Sequence, residues 1–336
     1  MTGEPILSVE NLVKHFPVHG GLLQRQVGSV RAVTDVSFDI YPGETVALVG
    51  ESGCGKSTVG KTIMRFHEPT SGSVRFEGQD LAKLRPAELR KMRRDVQFVF
   101  QDPYSSLPSR MPVGEILLEP LEIHGVGNDR QRRERVRELL NLVGLGPEAL
   151  GRYPHEFSGG QRQRIGIARA LALEPRLLIL DEPISALDVS IQAQVINLLA
   201  RLQRELGVAY LFIAHDLAVV RHLAHRVAVM YLGRIVEYGD AETVFTRPSH
   251  PYSQALLSAV PQPDPRLAAL STRRLLEGEL PSPTAPPPGC SFHTRCWKAQ
   301  PECAQERPLL QIRTPSGSES ACFFAEEESM AGEDQA

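Results

Sequence analysis

The sequence predicts an α/β fold built around a phosphate-binding loop, and three observations carry that expectation. Gly50–Thr58 (GESGCGKST) fits G-x-x-x-x-G-K-[ST] at every position, between an apolar strand and a helix. Further apolar runs, Val96–Phe100, Leu177–Leu180 and Tyr210–Ala214, each end in polar residues, as buried strands do where their ends line a ligand site. Alternating apolar positions over Ile6–Lys14 and Val30–Ile40, with Ser73–Phe76, mark antiparallel strands before and after the loop.

Composition sets the bounds. A chain of 336 residues suggests about two domains, and 42% hydrophobic with 23% charged residues is ordinary for a soluble globular protein. A net charge of −3 supplies no basic field for nucleic acid. No apolar run reaches the roughly 18 residues a membrane span needs, and MTGEPILSVE has no signal-peptide architecture, so the expected compartment is the cytosol. Of five cysteines, Cys54 sits in the phosphate loop, while Cys290, Cys296, Cys303 and Cys322 cluster near the end. In a reducing compartment such a cluster reads as metal ligands before disulfides.

Glu44–Val49 reads as the strand entering the loop after the Pro42-Gly43 turn, and Thr58–Phe66 as the helix leaving it. Gly50, Gly53 and Gly55 let the backbone curl, so that the N–H groups of Glu51, Ser52, Cys54 and their neighbours point at phosphate oxygens. The helix beginning at Thr58 turns its positive end to the same anion. Lys56 is placed between β- and γ-phosphates, and the Ser57 hydroxyl to ligate Mg²⁺. The expected ligand is a nucleoside triphosphate. The Gly-rich insertion His15–Gly28 reads as a loop, where Phe16 is a candidate to stack on a base, with a buried core Phe as the competing reading.

Gln101 closes the Val96–Phe100 strand. From Pro103 to about Leu173 the pattern turns helical, including Arg130–Val143, with Val136, Leu139, Leu140 and Val143 at helical spacing and the arginines on a solvated face. Ser158, Gly159, Gly160 and Gln161, after Phe157 and before another helix, form a second cradle of backbone N–H groups. One nucleotide cannot easily fill two cradles in one monomer, so this one faces a phosphate held by another subunit. Asp181 ends an apolar strand as a Mg²⁺-holding carboxylate does, and adjacent Glu182 is placed to polarise the attacking water. Ser185–Asp188 caps a helix, and His215 at the end of Tyr210–Ala214 is a candidate partner of the γ-phosphate.

In the tail, Pro281–Pro288 reads as a stiff linker, and residues 325–336, acidic and apolar-poor, as disordered. The cysteines lack tight C-x₂₋₄-C pairs. Their wider spacing suits a [4Fe–4S] cluster, with Zn²⁺ and free thiols as alternatives and His293 as an exposed-loop histidine.

With these residues in order, the chain resembles the ATP-binding subunits of ABC transporters over about residues 6–240. The phosphate loop, Gln101, the FSGGQ signature at Phe157–Gln161, the strand ending Asp181-Glu182, the D-loop Ser185–Asp188 and the switch His215 all match. FQDPYSSL (100–107), SALDVSIQAQ (185–194), YLGRIVEYG (231–239), HPYSQALLSAVP (250–261), the insertion Gly20–Gly28 and the late cysteines resemble the dipeptide/oligopeptide/nickel importer branch. Pro108-Ser109-Arg110 departs from that branch's usual Asn-Pro-Arg. The resemblance implies a RecA-like core with an antiparallel β subdomain and a helical subdomain at about 103–173, together residues 1–245. A C-terminal extension would fill 246–336. It implies ATP with Mg²⁺ held by Ser57, Gln101 and Asp181, and Glu182 and His215 as catalytic residues. Ser158–Gln161 would act across a head-to-tail dimer with a paralogous ATPase, and Asp188 belongs to the D-loop. Two transmembrane permease subunits and an extracytoplasmic solute-binding protein complete the implied assembly, on the cytoplasmic side of the membrane. Some branch members carry a [4Fe–4S] cluster at similar cysteines. The expected function is ATP-driven peptide import; the alternatives are import of nickel or another small solute, or a soluble ABC ATPase of DNA repair or translation. A non-hydrolysing binding module is a further alternative, disfavoured by the presence of Glu182 and His215.

Overall fold

The computed structural model describes residues 3–20, 25–102, 106–260, 274 and 276–330. In chain order its strands are β1 (Leu7–Gly20), β2 (Arg25–Ile40), β3 (Thr45–Val49), β4 (Ser71–Phe76), β5 (Gln79–Asp80) and β6 (Val96–Val99). There follow β7 (Leu177–Asp181), β8 (Ala209–Ala214), β9 (Arg226–Tyr231), β10 (Arg234–Asp240), β11 (Gln311–Ile312) and β12 (Glu319–Ser320). The first sheet is antiparallel, in the order β2-β1-β4-β5. The second has the order β11-β12-β10-β9-β3-β8-β7-β6, and its β9-β3-β8-β7-β6 section is parallel. Every residue of β3, β7 and β8 is buried, the pattern of strands covered on both faces.

The helices are α1 (Lys56–Ile63), α2 (Pro86–Asp95), α3 (Val113–Ile123), α4 (Asp129–Leu142) and α5 (Gly159–Leu171), then α6 (Val189–Leu206), α7 (Leu217–Arg221), α8 (Ala241–Thr246) and α9 (Pro251–Ser258). The helical stretch after β6 is α3, α4 and α5, whose apolar residues join one core with β7 and β8. In α4, Val136, Leu139 and Leu140 are buried, as the spacing requires, and Asn128 caps the helix by exchanging hydrogen bonds with Gln131. Arg135 does not simply face water: it reaches the Leu171 carbonyl at 3.2 Å and ties α4 to α5.

Three expectations change. His15–Gly28 is a loop over little of its length. β1 runs to Gly20 and β2 starts at Arg25, paired through Phe16↔Val30 and Gly20↔Arg25. Backbone ladders need no apolar alternation, so Gly20 and Gly28 sit within the paired strands; positions 21–24 lie outside the described residues. The tail is joined to the main sheet. β12 pairs with β10, the Pro283 carbonyl accepts from Arg31 N at 3.0 Å, and Phe292 is 1% exposed against Tyr231 and Tyr252. The start of the acidic stretch is docked as well. Glu326, Glu328 and Met330 donate backbone N–H groups to the carbonyls of Ser249, Pro248 and Thr246 at 3.2, 3.2 and 3.0 Å. Exposed acidic side chains concealed this ladder; 331–336 lie outside the described residues, as do Pro103–Ser105 and Pro261 from the motifs above.

Candidate functional site

The parallel strands deliver their C-terminal ends to one edge of the sheet, and the predicted residues gather there. β3 runs into Gly50–Gly55, and α1 starts at Lys56, earlier than its apolar pattern suggested. Gly50 and Gly55 have φ of 151° and 106°, where a side chain would strike the Met230 and Ala32 carbonyls respectively. The curl of the loop therefore depends on glycine at both positions. Lys56 Nζ donates to Gly50 O at 2.8 Å and Glu51 O at 3.0 Å, and Cys54 is buried beside it. Ser52 is exposed at the loop's crest, and Thr58 lies in the first turn of α1.

Ser57 Oγ donates to Asp181 Oδ1 at 2.6 Å. Burial pushes the Asp181 carboxyl up, and the Ser57 hydrogen bond and the charges of Lys61 and Lys56 oppose it. Hydroxyl and carboxylate together present the hard oxygen donors that Mg²⁺ takes, so this donor set fits the ion. Glu182 has φ of 46° and side-chain exposure of only 12%, and Gln101 Nε2 donates to its Oε2 at 2.8 Å. His215 Nδ1 stands 3.3 Å from the same Oε2. One carboxylate is thus held by the strand-end glutamine and the strand-end histidine.

Ser158–Gln161 form a capping box at the start of α5: Gln161 N donates to Ser158 Oγ at 3.3 Å and Ser158 N to Gln161 Oε1 at 3.0 Å. Gly159 opens that helix, and Gly160 packs against Ile191 of α6, where a Cβ would collide. Asp188 is exposed at the N-cap of α6 without a side-chain cap bond. Phe16 meets His67 edge-on, with centroids 5.1 Å apart, and Lys14 Nζ lies 4.8 Å from its ring centre.

Two residues given no site role by the sequence reach the loop. Arg295 Nη1 and Nη2 donate to Glu51 Oε2 and Oε1 at 2.8 and 3.1 Å, and the Tyr252 hydroxyl accepts from Glu51 N at 2.9 Å. No local signal marks Arg295; Tyr252 was noticed only as part of a motif.

Cys290, Cys296, Cys303 and Cys322 are free thiols lining one apolar pocket with Phe292, Phe323 and Phe324. Burial pushes the Cys290, Cys296 and Cys322 thiols up, the last to about 12. Among the described residues, no group of three or more His, Cys, Asp or Glu is arranged to hold a metal ion. Neither the cluster nor the zinc anticipated from the sequence has a formed site. An all-thiol donor set nevertheless fits an iron–sulfur cluster chemically. His293 Nδ1 lies 2.8 Å from the Cys290 carbonyl.

Comparison with known proteins places these features. A family model described as ABC transporter matches residues 33–185, and one described as oligopeptide/dipeptide transporter, C-terminal region, matches 236–303. The chain is 55% identical over 319 residues to a probable peptide ABC transporter ATP-binding protein, y4tS, of Sinorhizobium fredii, covering 95% of this chain and 90% of the relative. It is 54% identical to the oligopeptide transport ATP-binding protein AppF of Bacillus subtilis, covering 93% of this chain and 95% of the relative. A solved structure titled a dimeric post-hydrolysis state of the ATP-binding cassette MJ0796, bound to ADP and Pi, is 30% identical with a TM-score of 0.62. That match covers 70% of this chain and 98% of the other.

Proposed function

The chain belongs to the ATP-binding proteins of ABC transporters, and on that premise we propose that it hydrolyses ATP to drive peptide import through a membrane permease. The observation that carries the reading is the Gln101–Glu182–His215 constellation beside the Ser57–Asp181 pair and the phosphate loop. In this reading Lys56 leaves the loop carbonyls for the phosphates, and Ser57 and Asp181, with Gln101, would hold Mg²⁺. The ion supplies charge neutralisation on the phosphates. Glu182 orients and deprotonates water, with Gln101 and His215 fixing its carboxylate. Phe16 stacks on the base.

In this reading the helix start at Ser158–Gln161, with Asp188, completes the nucleotide site of a second, paralogous ATPase, supported by the backbone N–H groups that such a helix start offers to an anion. Permease docking is supported by an exposed groove containing Phe66, Phe98, Phe100 and Ile123. Among the described residues no helix is long and apolar enough to cross a membrane, and the proposed location is peripheral, on the cytoplasmic face. We place the boundary between the ATPase domain and the C-terminal extension near residue 245.

Reconstitution tests the reading: vesicles holding the permease pair and both ATPases should accumulate labelled oligopeptide only with MgATP and intact Glu182. Accumulation of nickel but not peptide would redirect the substrate assignment. The four-thiol pocket supports a [4Fe–4S] reading, tested by anaerobic purification with iron and sulfide analysis. Iron and sulfide at about four each per chain, lost on Cys→Ser substitution, would establish it, and zinc or no metal would overturn it.

A further inference from the structure

We propose that Arg295 is a positioning residue for the ATP site, setting the charge and shape of the phosphate loop through Glu51. The inference rests on the ATP-binding reading of that loop. Glu51 follows Gly50, the first residue after β3, and it is held from several sides. Its carboxylate takes both prongs of the Arg295 guanidinium, at 2.8 and 3.1 Å. Its N–H donates to the buried Tyr252 hydroxyl, and its carbonyl accepts from Lys56 Nζ. One residue thereby links the phosphate-binding lysine to the end of the chain.

An exposed ion pair would contribute little, but this one is built differently. The Arg295 side chain is 7% exposed, its two-pronged geometry suits a carboxylate, and the Tyr231 hydroxyl lies 3.5 Å from Nη1. The guanidinium is fixed before any ligand arrives. The charge argument follows. A carboxylate inside a loop that must receive a triphosphate repels the ligand, and a fixed cation cancels it. Without Arg295, Glu51 would present an uncompensated charge to the cleft it shares with Gly50 and His215. Arginine is required over lysine because a point charge on a flexible stem would neutralise the carboxylate without fixing its direction.

The test is MgATP titration by calorimetry on the full-length chain, with the apparent KM and kcat of hydrolysis measured alongside. Arg295→Gln should weaken MgATP binding on the order of tenfold, raising KM more than it lowers kcat. Glu51→Gln combined with Arg295→Gln should return affinity to within about twofold of wild type, since no uncancelled carboxylate remains. Wild-type affinity in R295Q overturns the proposal. Equal loss in R295Q and E51Q/R295Q also overturns it, because Arg295 would then act only as general support of the fold. Should R295Q fail to fold, R295K decides. It should weaken binding by a smaller factor that E51Q relieves, and wild-type affinity in R295K would sink the idea. Lys56→Ala runs in parallel: if that variant keeps wild-type affinity, the ATP-site reading itself falls, an outcome separate from failure at Arg295.

Discussion

Lys56 and Glu182 show how differently two residues of one site are prepared. Lys56 is 4% exposed and occupied by carbonyl oxygens of its own loop, so its charge is already desolvated at the proposed phosphate site. Lys56→Ala should weaken MgATP binding on the order of a hundredfold in calorimetry, the scale of a lost buried charge partner. Glu182 is instead held in a positive-φ conformation, with its carboxylate shared between Gln101 and His215. Glu182→Gln keeps the shape and loses the proposed base. Turnover should fall by about 10²–10⁴-fold while MgATP still binds, and a dimer should persist on size exclusion. Unchanged turnover would remove Glu182 from the mechanism. The sequence singles out both residues, because a phosphate loop and a strand-end acid pair are local patterns. Arg295 was not legible, because its partner Glu51 is 244 residues away.

Among the elements, the start of α9 repays a closer look. Glu237 on β10 is fully buried and accepts from Ser249 N, Ser249 Oγ and His250 N at 2.7, 2.8 and 3.1 Å, placing an acid at a helix N-terminus. His250 caps the same helix by accepting from Tyr252 N at 3.0 Å. Burial pushes the His250 imidazole from 6.5 down to about 3. The unfolded chain therefore takes up a proton below about pH 6.5 that the folded chain refuses, and stability is lost as pH falls from there toward 3. The slope is about 1.4 kcal/mol per pH unit inside that window. Burial pushes Glu237 up, which adds a dependence of opposite sign, so the contribution of His250 is the difference between wild type and His250→Asn. Asparagine caps without titrating. Parallel denaturant curves for the two proteins across that window would refute the assignment. The sequence located β3, β6, β7, β8 and α4 to within a residue, where the apolar runs and the helical period were strong. It failed at the β1–β2 hairpin, where Gly-rich composition and backbone pairing coexist.

For the whole molecule, the decisive fact is that the tail completes the sheet and the core. Phe292 is 1% exposed, and its ring centroid lies 5.2 Å from that of Tyr231 and 5.4 Å from that of Tyr252. Phe292→Ala should cost about 3–5 kcal/mol in urea unfolding. Loss near zero would mean the extension folds apart from the rest. Composition hid this arrangement. Prolines and acidic residues suggested a linker and a free end, while the contacts that dock them are backbone hydrogen bonds, side-chain pairs such as Arg274–Glu328 at 2.7 Å and the Phe292 ring, which leave little trace in sequence.

The pairing of Glu51 with Arg295 also imposes an order on the protein's manufacture. At roughly 5–20 residues per second, the ribosome needs about 12–49 s to travel from one codon to the other, over the 244 positions between them. Through that interval the loop is already synthesised but lacks its distant anchor. A polypeptide released before residue 295 would carry the Glu51 carboxylate in its phosphate loop without the guanidinium that pairs with it.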